Sequence, residues 1–149
     1  MLDAPPPTPR QRWIAVLARA DATAIADRLP AALPAWRALR GPETGLVMLR
    51  GRAGGDGAAF NLGEMTVTRC ILRTEAGQVG HATIPGRDRR HAELAALADA
   101  LLQDPDREAE LHAALIAPLA ARQEEARAAI AARAAATRVE FFVLQTMRT

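Results

Sequence analysis

The sequence predicts an α+β domain: an antiparallel meander of about four strands with an N-terminal helical hairpin, packed C-terminal helices and a strand-like C-terminal tail. Two observations carry this. Between residues 36 and 84 apolar and polar side chains tend to alternate, and Gly- and Pro-containing stretches interrupt them, as half-buried strands require. On either side, apolar residues recur at spacings of three and four, the period of helices with one buried stripe. At 149 residues the chain is the size of one domain with a single core, and aromatics are only 3% of it, so that core is built from small and aliphatic side chains.

Residues 1–8, with Pro5-Pro6-Pro7, form a flexible start to a single domain over 9–149. Thr8-Pro9-Arg10-Gln11 reads as a capping box with proline in the first helical position, where its missing N–H costs nothing, so a helix runs over about 9–19 and buries Trp13, Val16 and Leu17. Asp21 caps a second short helix carrying Ile25 and Leu29, which Pro30 and Pro34 end. Residues 36–40 are extended, Gly41-Pro42-Glu43-Thr44-Gly45 turns, 46–52 form a stronger strand, and Gly54-Gly55-Asp56-Gly57 is a loop. In the strand 64–74, Met65, Val67 and Ile71 mark the apolar face and Thr66, Thr68, Cys70 and Thr74 the other. Arg69 falls on the apolar face, where its charge needs Glu43, Glu64 or a group beyond the chain, unless its head reaches solvent. A turn at 75–78 leads to the strand 79–84.

Asp88 caps the next helix, which reaches about Gln103 and buries Leu94, Leu97, Ala98 and Leu101. Asp104-Pro105 starts another, with the stripe Leu111, Leu115 and Leu119 and a kink or break at Pro118. Residues 122–136 are alanine-rich with Ile130 the one sizeable apolar side chain, so this helix lies flat on a neighbour or projects as an arm; arm and tail together span about 120–149. The tail, Arg138-Val139-Glu140-Phe141-Phe142, returns to a strand pattern that suits either its own sheet or strand addition to a partner, which makes Arg138, Phe141 and Phe142 candidate docking residues.

Chemistry is sparse by comparison. The chain has no serine, its one cysteine, Cys70, sits in a strand, and His81, His91 and His112 fall on three elements, so neither catalytic residues nor a metal site are expected. The 54–57 loop lacks the Lys and Ser/Thr of a phosphate-binding loop. A net charge of +2 without aromatics interleaved among the arginines argues against nucleic acid, and with no signal segment or membrane-length apolar run the expected location is the cytoplasm. The densest charge is Gly86-Arg87-Asp88-Arg89-Arg90-His91-Ala92-Glu93. Cations at a helix start oppose the macrodipole and call for negative charge, from Asp88 and Glu93 or from a phosphate or an acidic partner. Arg69, Arg87, Asp88, His91, Glu93 and Glu43 are therefore candidates for anion binding or an interface, against a plainly solvated charged face.

The landmarks Glu43-Thr44-Gly45-Leu46-Val47, Gly54-Gly55, Thr66-Val67-Thr68-Arg69, Gly86-Arg87-Asp88, His91-Ala92-Glu93, Ile116-Ala117-Pro118-Leu119 and Arg138-Val139-Glu140-Phe141-Phe142 carry a resemblance in their order and spacing. From about Arg10 to Arg148 the chain resembles the PhnG family, the small G subunit of the bacterial carbon-phosphorus lyase core complex. The resemblance implies a subunit without catalytic residues of its own. Its partners would be the H, I and J subunits, chiefly I, and an ATP-binding accessory subunit. In that family the assembly displaces adenine from ATP with a phosphonate to give a ribose 1-phosphonate 5-triphosphate, so ATP is a substrate of the complex and this chain holds no cofactor. The alternative is a stand-alone phosphate- or phosphonate-binding domain, or a small enzyme using the arginine cluster as its anion site.

Overall fold

The computed structural model describes residues 5–52 and 57–138. Helix α1 (Pro9–Leu17) opens with the predicted capping box: the Gln11 amide N–H donates to Thr8 Oγ1 (3.2 Å) and the Thr8 N–H to Gln11 Oε1 (2.8 Å). A short α2 (Ala22–Ala26) comes next, and three strands, β1 (Trp36–Gly51), β2 (Phe60–Thr74) and β3 (Val79–Pro85), form an antiparallel sheet in the order β1-β2-β3. Helix α3 (Arg89–Leu101) packs on this sheet, and α1 and α2 pack against α3, with α1 also reaching the edge of β3. The core lies around α3, whose residues from Ala95 to Leu101 are all buried.

Close approach is what makes that arrangement possible. α3 meets the sheet mainly with alanine, and β3 answers with Gly80, where a Cβ would run into the backbone carbonyl of Ala96 and the backbone N of Ala100. Gly86, at φ +87°, takes the left-handed turn that leads from β3 into α3.

Three expectations are corrected within the sheet. Residues 36–40 and 46–52 are one strand rather than two, so the described residues hold three strands and not about four. Gly41-Pro42 makes bulges instead of a turn: pairing with β2 slips between Ala38 and Arg40 and again between Arg40 and Glu43, and an edge strand tolerates the missing proline N–H. The faces of β2 are also largely exchanged, although Val67, on the expected apolar face, is buried. Thr68, Cys70, Leu72 and Thr74 point at α3, because small side chains suit the tight packing and their hydroxyls find acceptors: Thr68 Oγ1 donates to the Gly86 carbonyl at 2.8 Å, and Thr74 Oγ1 lies within 2.5 Å of Gln78 Oε1. Arg69, Ile71 and Arg73 lie on the face away from α3, with both arginines exposed.

Beyond Gly45 and Val67 the sheet loses its third strand, because β3 ends opposite Val67, and β1 and β2 continue as a two-stranded ribbon. Most of its apolar side chains are exposed, Leu46 58%, Met48 52%, Phe60 45% and Leu62 60%, while the paired Val47 and Met65 are half-buried.

After α3 come α4 (Pro105–Leu111), a π-helical turn (His112–Ile116) and α5 (Ala117–Ala136), in unbroken succession. Pro118 does not break this run. The widened turn immediately before it absorbs the missing N–H and the ring, while Leu111, Leu115, Ile116 and Leu119 stay buried. Among the described residues the last link of α5 to the body is Gln123, whose Nε2 donates to the Val16 carbonyl (2.9 Å); every residue from 124 to 138 is exposed, with Ile130 at 67%. The arm therefore projects. Phe141 and Phe142, the strand pattern of the tail and most of the 54–57 loop lie outside the described residues, and no helix among those described is long and apolar enough to cross a membrane.

Candidate functional site

Three segments far apart in sequence converge at the N-terminus of α3. Strand register sets Thr44 against Thr68, Gly45 against Val67 and Leu46 against Thr66, and the Gly86 N–H donates to the Thr66 carbonyl at 2.9 Å. Because Thr68 Oγ1 gives its proton to the Gly86 carbonyl, Thr44 Oγ1, 3.3 Å away, is left to donate to Thr68 Oγ1. This relay of hydroxyls ties both strands to the turn that presents Arg87. The exposed Arg87 lines a surface cleft of about 440 Å³ with Thr44, Gly45, Leu46 and Thr66. A guanidinium above a floor of threonines and strand backbone can pair bidentately with a carboxylate or phosphate.

The other candidates are not gathered there. The Asp88 carboxylate accepts from the His91 backbone N–H (2.9 Å) as the N-cap of α3. His91 is buried, and its Nε2 donates to the Leu17 carbonyl at 2.8 Å, which pins the end of α1 to the start of α3. Glu93 is half-buried near Cys70. Burial, helped by the negative charge of Glu93, pushes the Cys70 thiol up to about 11, so at neutral pH it is a protonated core group rather than a nucleophile. Glu43 and Arg69 face each other across β1 and β2 on the opposite side of the sheet, and Glu43 pairs with Arg40 at 3.8 Å. Arg138 lies just past the end of α5 and is exposed.

The most highly connected polar group is one that sequence reasoning missed. Asp99, fully buried on α3, accepts from Arg10 Nε (3.1 Å) and Nη2 (2.8 Å), Trp13 Nε1 (2.9 Å) and the His81 backbone N–H (2.9 Å). Arg10 Nη2 and Gln103 Nε2 also donate to the Val79 carbonyl, so the outer edge of β3 is capped by side chains and cannot recruit another strand at those positions. The signal was present: one carboxylate in the run Ala95-Ala96-Leu97-Ala98-Asp99-Ala100-Leu101-Leu102 needs a buried partner, and Arg10 and Trp13 stand one turn apart on a helix. Among the described residues no group of three or more His, Cys, Asp or Glu side chains is placed to hold a metal ion.

Comparison with known proteins bears directly on this geometry. Over 106 residues, 71% of this chain and 67% of the relative, the sequence is 48% identical to the alpha-D-ribose 1-methylphosphonate 5-triphosphate synthase subunit PhnG of Rhizobium meliloti (strain 1021). The family described as phosphonate metabolism protein PhnG matches residues 8–148, a span that takes in the cleft, the Asp99 network and the helical arm. The chain belongs to the PhnG family.

Proposed function

We propose that this chain is a non-catalytic or activating subunit of an alpha-D-ribose 1-methylphosphonate 5-triphosphate synthase within a carbon-phosphorus lyase core complex. It supports transfer of the ATP-derived ribose triphosphate to an alkylphosphonate with release of adenine. The observation that carries this reading beyond the kinship is the bare β1–β2 ribbon. A two-stranded ribbon with exposed Leu46, Met48, Phe60 and Leu62 has no covering layer among the described residues, and exposed apolar groupings of this kind mark surfaces that meet another protein.

On this reading the ribbon and the α5 arm, continued by Arg138, Phe141 and Phe142, seat on neighbouring subunits, chiefly the I subunit, with H and J completing the assembly and an ATP-binding accessory subunit serving it in the cytoplasm. Arg87 borders the ribbon through Leu46 and supplies the polar contact, either to a partner carboxylate or to a phosphate held at the interface. ATP is the substrate of the complex, and this chain binds no cofactor. Co-expression with the other subunits tests the assignment. Arg87→Glu is expected to abolish either assembly or adenine release while circular dichroism of the isolated chain stays unchanged; full assembly together with full activity would remove Arg87 from the interface. A wild-type chain that stays monomeric beside its co-expressed neighbours would overturn the subunit reading itself.

A further inference from the structure

The face of the sheet away from α3 carries a second concentration of arginine. In a regular strand, residues three apart point to opposite sides. Arg37, Arg40 and Glu43 are spaced by three, yet register places all of them on one face, since Arg37 opposes Arg73, Arg40 opposes Ile71 and Glu43 opposes Arg69. The two bulges of β1 do this, each inserting one residue between consecutive members of the series. The result is four exposed guanidinium groups, Arg37, Arg40, Arg69 and Arg73, with the Glu43 carboxylate among them.

Within this group Arg37 and Arg73 are directly opposed across the strand pair, a placement that sets their Cβ atoms about 5 Å apart and is unfavourable for like charges. Neither is in an ion pair among the described residues, and Glu43 is engaged with Arg40. The two arginines line a concave cleft of about 440 Å³ at the end of the sheet, with Trp36 on its wall and Glu75 its single carboxylate. That volume falls in the range of small-ligand sites, roughly 300–1,000 Å³. Two opposed arginines lining one cleft of this size suit a multiply charged anion of linked tetrahedral phosphate groups, which can accept bidentate hydrogen bonds from both and offset their repulsion. An extended acidic segment of another protein would instead lie along the whole arginine row.

We infer that Arg37 and Arg73 form a phosphate-binding site, separate from the Arg87 cleft, that takes a ligand bearing two or more linked phosphate groups. Tripolyphosphate is the probe, added to the full-length chain at constant ionic strength and followed by thermal unfolding and calorimetry, with citrate as a non-phosphate trianion. Wild type is expected to be stabilised by tripolyphosphate and much less by citrate. The double variant Arg37→Gln/Arg73→Gln should bind about tenfold or more weaker. The control Arg107→Gln, exposed on α4 and lining neither cleft, should bind as wild type. Without ligand the double variant should unfold at the same temperature as wild type or higher, because it has lost a repulsion and no pairing; this also checks that it folds. An equal response to tripolyphosphate in wild type and double variant, an equal response to citrate, or none to either would overturn the site. If tripolyphosphate has no effect but the double variant fails to co-purify with partner subunits, the arginines serve an acidic protein surface instead.

Discussion

A carboxylate with no exposed surface must find a donor for each lone pair it keeps, and Asp99 does so by drawing on α1, β3 and the end of α3 at once. Removing it leaves the Trp13 indole N–H and the His81 backbone N–H without their acceptor, and Arg10 without its counter-charge. Asp99→Ala is therefore expected to cost about 3 kcal/mol or more, read as a lower midpoint in urea unfolding of the full chain. An unchanged midpoint would show that the network contributes nothing net. Little of this was legible in the sequence, because helix periodicity sorts residues into faces and says nothing of the separation between Arg10 and Asp99, 89 positions apart. His91 shows the same limit: its place beside Arg89 and Arg90 made it a candidate for anion binding or an interface, but the Leu17 carbonyl that its Nε2 meets comes from a distant helix that no local pattern points to.

Among the elements, α3 and β3 form the tightest junction. Gly80→Ala would force the new methyl into the Ala96 carbonyl and displace backbone rather than a flexible side-chain end. The expected cost is about 1–3 kcal/mol or beyond, visible as a fall in unfolding temperature, while Gly45→Ala, with nothing within 4 Å of its added Cβ, should change it little. Signals at the ends of helices were mostly legible because they are local: the Thr8–Gln11 capping box and the Asp88 cap form as read, whereas Asp21 stands at the N-cap of α2 but its side chain makes no capping hydrogen bond. The sheet was harder. A Gly-Pro pair indicates that regular pairing is interrupted, but whether the chain reverses or bulges depends on β2 continuing alongside, and that is a fact about another segment. Likewise the buried face of β2 was decided by the alanine surface of α3, which admits threonine and cysteine and leaves Ile71 half-exposed.

For the whole molecule, the packed body and its two projections obey different rules. The body closes its own core; the ribbon and the arm do not. Leu62→Thr keeps a residue suited to a strand and removes an exposed apolar group, so isolated stability should stay within about 0.5 kcal/mol while the chain becomes less prone to self-association and co-purifies less with its partner subunits. Unaltered co-purification would take Leu62 out of the docking surface. The arm raises a separate matter of cost. From Glu124 onward no described residue outside the helix covers α5, yet alanine, the best helix former, makes up most of that stretch and gives it a helical ground state. A segment that must fold when it is captured spends much of its contact energy on losing conformational freedom. A rod already formed, whose alanines have no rotamers to freeze, surrenders far less, so on the proposed docking even the thin contact that alanine can offer would suffice to hold it.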